Sequence, residues 1–301
     1  MGKTTGAWEE LLVDVTYDYG KRVSNKEKEG IYRYLYKKFH EELGYKVDYG
    51  SVGTGVLKAG YCIAGNLENA EIVFTCPLDT SRATRLPKYR LYPFNEKKRK
   101  KQDRLALLWD DILAVLSGLL IFGIGILLKA DQKIMIVLTT FYLLLYYFTL
   151  SNRFTFSRSA SLALLIYTAT LKPKKKCAFV FIDKCADSYA GLRLFLRQKE
   201  KELREVKQVI HFDSLGSGEK LVAAHKEKTK MMVDPALFDE EFIYKEKDER
   251  MPLCYEKTDS LVFVSLVDFD KEEYVVRNVR SMKDRVIQVE RLQRIAELLA
   301  G

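Results

Sequence analysis

Little in this chain marks it for the outside of a cell. Its five cysteines, Cys62, Cys76, Cys177, Cys185 and Cys254, are scattered, odd in number and without C-x-x-C spacing. That argues against a disulfide framework and suits a reducing compartment. No secretory leader opens the chain: Met1, Gly2, Lys3, Thr4 and Thr5 run straight into the acidic Trp8, Glu9, Glu10 segment. The myristoylation pattern fails because Gly6 stands where Ser or Thr is needed. The same opening resembles the tail of a phosphate-binding loop but lacks its preceding glycine and strand. Gly216, Ser217 and Gly218 read as a turn that ends a strand, since no helical pattern follows them. No internal repeat is present.

A formal net charge of +9 suggests nucleic acid until the charges are located. Residues 97–104 hold six cations against one anion, and Lys172, Lys174, Lys175 and Lys176 supply four more. Those two stretches account for the whole excess. Neither is interleaved with aromatic residues on one face, so the chain is not expected to bind nucleic acid. Both are suited to anionic lipid headgroups.

What the chain has in excess is apolar sequence at its middle. Residues 112–128 and 134–150 are two runs of seventeen residues without a charge, separated by Lys129, Ala130, Asp131, Gln132 and Lys133. Each makes about 25 Å of helix, the short end of a membrane span, and residues 105–109 can extend the first at the interface. So short a connector makes the helices antiparallel, at about 110–128 and 134–150, and returns the chain to the side it left. The runs contain no ionisable group, which fits an anchor better than a transport path. Gly118, Gly123 and Gly125 permit close helix approach. Lys97, Lys98, Arg99, Lys100, Lys101 and Arg104 precede the first span, and Arg153 and Arg158 follow the second. Positive flanks stay inside. The expectation is a multi-pass protein of the cell membrane, in contact with the lipid bilayer. Its transmembrane hairpin occupies 105–150, and 1–104 and 151–301 form one discontinuous cytoplasmic domain.

The remaining 250 or so residues suffice for one α/β domain. Ile31, Leu35, Phe39 and Leu43 recur at helical spacing, with Gly44 placed as a C-cap. Strands are predicted at 71–75, 177–183, 206–212 and 260–267, and helices at 188–202 and 291–299. Two of the strands are continuously apolar, which indicates a largely parallel sheet covered on both faces. The charged stretch 226–258 reads as a surface excursion.

The order of these segments carries a resemblance. Residues 72–80 (IVFTCPLDT) resemble a strand bearing H-x-D, and 158–165 (RSASLALL) resemble a helix start of the form D-N-A-S-G. Residues 179–186 (FVFIDKCA) resemble F-x-D-x-E-E, 211–216 (HFDSLG) resemble n-x-D-x-x-G, and Arg280, Ser281, Met282, Lys283, Asp284 resemble H-T-x-x-D. Lys21, Arg22, Val23 and Ser24, followed by the helix that exits at 42–47 (ELGYKV), resemble the same family's N-terminal helix. In this order the chain resembles the M28 zinc aminopeptidases, the aminopeptidase Y and glutaminyl-cyclase-like group. The resemblance implies a zinc-aminopeptidase-like (phosphorylase/hydrolase-like) three-layer α/β/α fold with a mixed, largely parallel sheet, interrupted here by the two-helix transmembrane hairpin.

It also implies two zinc ions on His, Asp, Glu, Asp and His, with a further Glu as general base. Carried over, those positions are degenerate. Pro77 stands for the first His, Arg158 for the bridging Asp, Cys185 for the base, Ala186 for the liganding Glu and Arg280 for the last His. Asp213 is retained, with Asp79 and Asp284 as secondary matches. His40, His211 and His225 are too few and wrongly placed to compensate. One carboxylate cannot hold a catalytic zinc, so no metal, no cofactor and no metallopeptidase activity are expected. Two arginines in place of two cations suggest that Arg158 and Arg280 approach Asp213.

The expected function is that of a pseudopeptidase: a membrane-anchored module that binds or scaffolds a protein or peptide partner through a cleft containing Asp79, Arg158, Cys185, Asp213 and Arg280. One alternative is a hydrolase with relocated chemistry, either altered metal ligands or Cys185 acting with His211, which shares a strand face with Asp213. Another is an accessory subunit that docks to a membrane complex through its hairpin.

Overall fold

The computed structural model describes residues 4–151, 155–186, 188–281 and 283–301. The expected flank Arg153, Met282 of the C-terminal motif and the opening Met1, Gly2 and Lys3 lie outside the described residues.

Four strands form the parallel heart of the fold: β3 (Ile72–Pro77), β5 (Cys177–Ile182), β6 (Gln208–Phe212) and β9 (Leu261–Asp270), in the order β5-β3-β6-β9. Their side chains are buried on both faces, which is why they read as unbroken apolar runs. On one edge β2 (Ala59–Ala64) pairs antiparallel with β5 and β1 (Val47–Val52) pairs with β2. On the other, β9 pairs antiparallel with β7 (Lys220–Lys226), which carries β8 (Glu240–Tyr244). The far end of β9 turns back into β10 (Glu273–Arg277), beside the two-residue β4 (Arg90–Leu91). The sheet is mixed and largely parallel, as the resemblance implied.

Alternate strand residues feed two cores. Phe74, Phe179, Phe181, Ile210 and Val262 face one layer of helices: α1 (Thr4–Val13), α2 (Asn25–Tyr36), α5 (Phe156–Thr170) and α7 (Val289–Ala300). Val73, Val180, Ile182, Val209 and Phe263 face the other, against Leu192 and Phe195 of α6 (Ala190–Gln198). Ser24 and Glu27 close a reciprocal cap on α2, and Gly44 at φ +74° ends the turns that follow it.

The stretch 226–258 departs from its expected role as a surface excursion. It contributes β8 to the sheet and buries Tyr244, Cys254 and Tyr255. In β8 Glu241 and Ile243 are exposed while Glu240 and Phe242 are half-buried and Tyr244 is buried, an alternation too brief to stand out in the sequence.

The two apolar runs are helices α3 (Glu96–Leu127) and α4 (Gln132–Ser151), both long and apolar enough to cross a membrane. Only 22% and 17% of their most apolar windows are buried. Gly118 faces Thr139 and Leu143 of α4 and Gly125 faces Met135, whereas Gly123 meets nothing within 4 Å. Tyr142 donates to Ser117 (2.8 Å) and Tyr146 to the carbonyl of Asp110 (3.0 Å) across the hairpin.

α3 starts well before its apolar run, so the basic stretch is helical and largely spoken for. Lys97 pairs with Glu249 (3.0 Å), Lys98 with Glu273 (2.6 Å) and Lys100 with Glu96, while Arg99 is buried in the protein. Lys101 and Arg104 remain exposed. Lys172, Lys174, Lys175 and Lys176 precede β5, at the opposite pole of the sheet from the loops that hold the hairpin. That placement separates the two basic stretches.

Candidate functional site

Parallel strands deliver their C-terminal ends to one pole, and the sequence continues there into the motif residues. β3 ends at Pro77 and leads to Asp79, β5 leads to Asp183, Lys184, Cys185 and Ala186, and β6 leads to Asp213. The first turn of α5 adds Ser157 and Arg158, and the segment after β10 adds Arg280 and Asp284. Loops at strand ends are the usual place for chemistry on an open α/β sheet.

Arg158 lies at the centre with its side chain 1% exposed. Its Nε donates to Asp213 Oδ1 at 3.3 Å, Nη1 to the Ser81 hydroxyl and Nη2 to the carbonyl of Ala186. Asp213 is equally buried, and also accepts the hydroxyls of Tyr189 (3.0 Å) and Ser214 (2.9 Å). Burial by itself raises the Asp213 carboxyl, but Arg158 and then Arg99 outweigh it and hold the group below the usual carboxylate range. Asp79 accepts the backbone N–H groups of Cys185 (3.0 Å) and Ala186 (3.1 Å), fixing the turn after β5.

Arg280 is not a partner of Asp213. It donates to Asp103 (2.9 Å) and to the carbonyl of Arg82 (2.8 Å), and lies over the ring of Tyr89. Asp103 belongs to α3, one turn beyond Arg99. Arg280 thus ties the C-terminal motif to the root of the hairpin, and that competing carboxylate explains why the expected double clamp is a single one. Asp284 accepts both the N–H (3.0 Å) and the hydroxyl (2.5 Å) of Ser157, yet burial still raises its carboxyl to about 6.

Three further residues, Arg22, Arg99 and Tyr189, join this centre, and none of them was expected in the cleft. Arg22 is fully buried and donates to the carbonyls of Leu78 (2.6 Å) and Tyr19 (2.6 Å), spanning from the N-terminal segment to the end of β3. Arg99 donates to the carbonyls of Cys185 (3.2 Å) and Ala186 (2.9 Å) while stacking 3.7 Å above Tyr189. Tyr189 connects Arg99 to Asp213. Apart from the Arg22 bond to Tyr19, three residues away, these contacts join positions distant in the sequence, so no local pattern announces them.

The Cys185 and His211 pairing lacks its geometry. Cys185 Sγ lies 3.6 Å from the carbonyl of Asp183. Burial, reinforced by Asp79, raises the thiol well above its ordinary value. His211 Nδ1 meets the Thr75 hydroxyl at 2.8 Å, and burial lowers the imidazole to about 3, so it stays neutral. His211 and Asp213 do share a face, since both contact Tyr189.

The five expected cleft residues, Asp79, Arg158, Cys185, Asp213 and Arg280, are each 7% exposed or less. They form a closed knot of arginines and carboxylates at the strand ends, and an outside ligand reaches them only if the surrounding loops part.

No protein-family model matches this sequence, and no curated protein matches it. Solved structures do. The chain is similar to the glutaminyl cyclase of Bacteroides thetaiotaomicron bound to N-acetylhistamine, with a TM-score of 0.56 and 15% identity, covering 99% of this chain and 96% of that one. It is similar to a leucine aminopeptidase precursor from the same organism (TM-score 0.54, 15% identity, 99% and 95% covered). A third likeness is to the LapA aminopeptidase of Legionella pneumophila (TM-score 0.53, 11% identity, 98% and 68% covered). The fold is that of the aminopeptidases and glutaminyl cyclases, as the motif order implied.

A two-zinc centre does not fit these residues. Pro77 and Ala186 carry no ligand atom, and the fixed cation of Arg158 occupies one oxygen of Asp213. Among the described residues, no group of three or more His, Cys, Asp or Glu is arranged to hold a metal ion.

Proposed function

We propose that this chain is a membrane-anchored protein of aminopeptidase fold that does not hydrolyse peptides and instead binds or scaffolds a protein or peptide partner at the cytoplasmic membrane face. The observation that carries this reading is the buried Arg158–Asp213 pair (3.3 Å) at the sheet pole where the resemblance implies zinc. A guanidinium neutralises a carboxylate and bridges loops as a metal does, but it cannot deprotonate: it neither acidifies a bound water nor accepts its proton. With Cys185 in place of the general base, both halves of water activation are lost.

The anchor rests on the exposed apolar sides of α3 and α4, with Leu105, Leu107, Leu108 and Trp109 at the level of the interface. Both soluble segments meet at the hairpin root, where Ala83 donates to the carbonyl of Leu150 (2.9 Å) and Arg85 to Asp110 (2.8 Å). That join supports reading both segments as lying on one side of the bilayer. Since the knot is closed, the partner is read as binding the surface around it.

Metal content of the detergent-purified full chain, with and without added zinc, tests the proposal beside an aminopeptidase assay. We expect less than about a tenth of an equivalent of zinc, unchanged on addition, and no turnover. Near-stoichiometric zinc with peptide cleavage refutes it.

A further inference from the structure

Outside the hairpin, one pair of side chains is exposed as if it belonged to it. Val56 is 91% exposed, the highest of the exposed large hydrophobic residues, and Leu57 beside it is 59% exposed. Leu127 and Leu128 at the hairpin tip, at 82% and 75%, are the nearest in kind. Val56 and Leu57 crown the single helical turn Gly55–Leu57 that joins β1 to β2. The turn is preformed: Leu57 donates to Thr54 (3.2 Å) and Lys58 to Gly55 (3.1 Å), with Gly53 and Gly55 supplying the left-handed backbone. Two bare apolar side chains on a rigid tip differ from the single scattered ones that any surface carries.

The position of the tip says what covers it. β2 starts beside the end of β5, where Asp183 donates to the carbonyl of Gly60 (2.9 Å) and the ammonium of Lys184 caps the carbonyl of Val56. Cys185 and Ala186 follow directly, and they receive Arg99 of α3. The tip therefore stands at the same pole of the sheet as the hairpin root, rimmed by the exposed Lys58 and the partly exposed Lys184. An apolar tip between lysines is the chemistry that inserts into an anionic lipid interface.

We infer that the Gly55–Leu57 turn dips into the headgroup layer as a second membrane contact, an inference that rests on reading the hairpin as an anchor. Hairpin and turn together set the tilt of the sheet and hold Lys172, Lys174, Lys175 and Lys176 away from the bilayer, at the opposite pole.

The experiment uses the full chain carrying Cys177→Ser, the other four cysteines being buried. A polarity-sensitive dye is attached at Leu57→Cys, at Leu120→Cys in the hairpin, or at Leu298→Cys. Leu298 is an apolar residue of similar exposure at the other pole, where Lys174 donates to the carbonyl of Ala300. Each protein is reconstituted without any other protein into phosphatidylcholine vesicles containing phosphatidylglycerol and spin-labelled acyl chains. We expect the lipid-borne quencher to reduce the Leu57 signal at least about half as much as the Leu120 signal, and to leave Leu298 bright. Quenching at Leu120 with none at Leu57 overturns the inference and leaves the anchor standing. No quenching at either position removes the anchor and the inference with it. A Leu57 dye shielded from aqueous iodide yet untouched by the lipid quencher marks a protein surface over the tip, and overturns the inference too.

Discussion

Replacing Asp213 with Asn tests what the central ion pair contributes. Arg158 Nε and Asp213 Oδ1 stand 3.3 Å apart with both side chains 1% exposed. At an effective dielectric near 20 their attraction is about 5 kcal/mol, much of it offset by the cost of burying both charges. The asymmetry lies in breaking the pair: Asn takes away the carboxylate that Arg158 Nε meets and leaves the buried cation one anion short, at an expected cost of about 3–5 kcal/mol. For a soluble portion of this size that is a fall of about 6–20 °C in unfolding midpoint. The double replacement Arg158→Met with Asp213→Leu removes both charges and should cost less than the two single changes together. It still strands the Tyr189 and Ser214 hydroxyls, each worth about 1–3 kcal/mol. Denaturant unfolding in detergent micelles, followed by far-ultraviolet circular dichroism, measures all three. The pH dependence gives an independent sign. Asp213 is held below its ordinary value, so its contribution is complete above the unfolded carboxyl range and is lost as pH falls through the depressed native one. Asp213→Asn should therefore differ most from the parent at neutral pH and converge with it in strong acid. An Asn variant within about 0.5 kcal/mol of the parent at pH 7 refutes the claim that this pair holds the strand ends together.

Asp284 has the opposite sign. Its carboxyl is raised to about 6, so its stabilising influence is present in acid and lost as pH rises through 6; Asp284→Asn, which keeps an acceptor for Ser157, should raise stability by about 2–3 kcal/mol at pH 8 and leave it little changed at pH 4, read from denaturation midpoints at the two values. Alkylation followed by peptide mass mapping should modify Cys177 first and leave Cys185 untouched in the folded protein, because Cys185 is fully buried with its thiol pushed up; rapid labelling of Cys185 at pH 7.5 would revive thiol chemistry at this site.

The parts of this fold legible in the sequence are those whose physics is one-dimensional. A strand buried on both faces is apolar throughout, and β3, β5, β6 and β9 were all expected near where they lie. A long helix that is apolar all round stands out against an otherwise charged chain, and α3 and α4 were visible for that reason. The edge strands do not announce themselves. β1 and β2 contain Gly50 and Gly60, which give way to the hydroxyls of Tyr61 and Tyr32, and such glycines weaken any strand pattern. β8 opens on Glu240 and Glu241 and pairs on one side only, so half of it is free to be polar. The centre divides in the same way. Arg158 could be paired with Asp213 beforehand because both occupy motif positions whose order was readable. Arg22 could not be placed, because it bonds to backbone carbonyls, which have no sequence signature.

Arg99 is the sharper case, since its sequence context points elsewhere. Inside a run of five basic residues before an apolar span it reads as a topology signal, and Lys101 and Arg104 remain exposed as such a signal requires. Arg99 itself turns inward, over Tyr189 and onto the turn that follows β5. One turn later Asp103 takes Arg280, and two turns after that Asp110 takes the Arg85 amide. One face of a single helix thus supplies a cation to the β5 turn, a carboxylate to the C-terminal motif and an acceptor to the segment after β3. Two of these three, the β5 turn and Arg280, are places where the resemblance implies metal ligands or a general base. A metal gathers such loops by coordination from the middle. Here α3 gathers them from one side, along about 16 Å of helix, and continues as the first apolar span. The helix that opens the hairpin is therefore part of what holds this buried centre together.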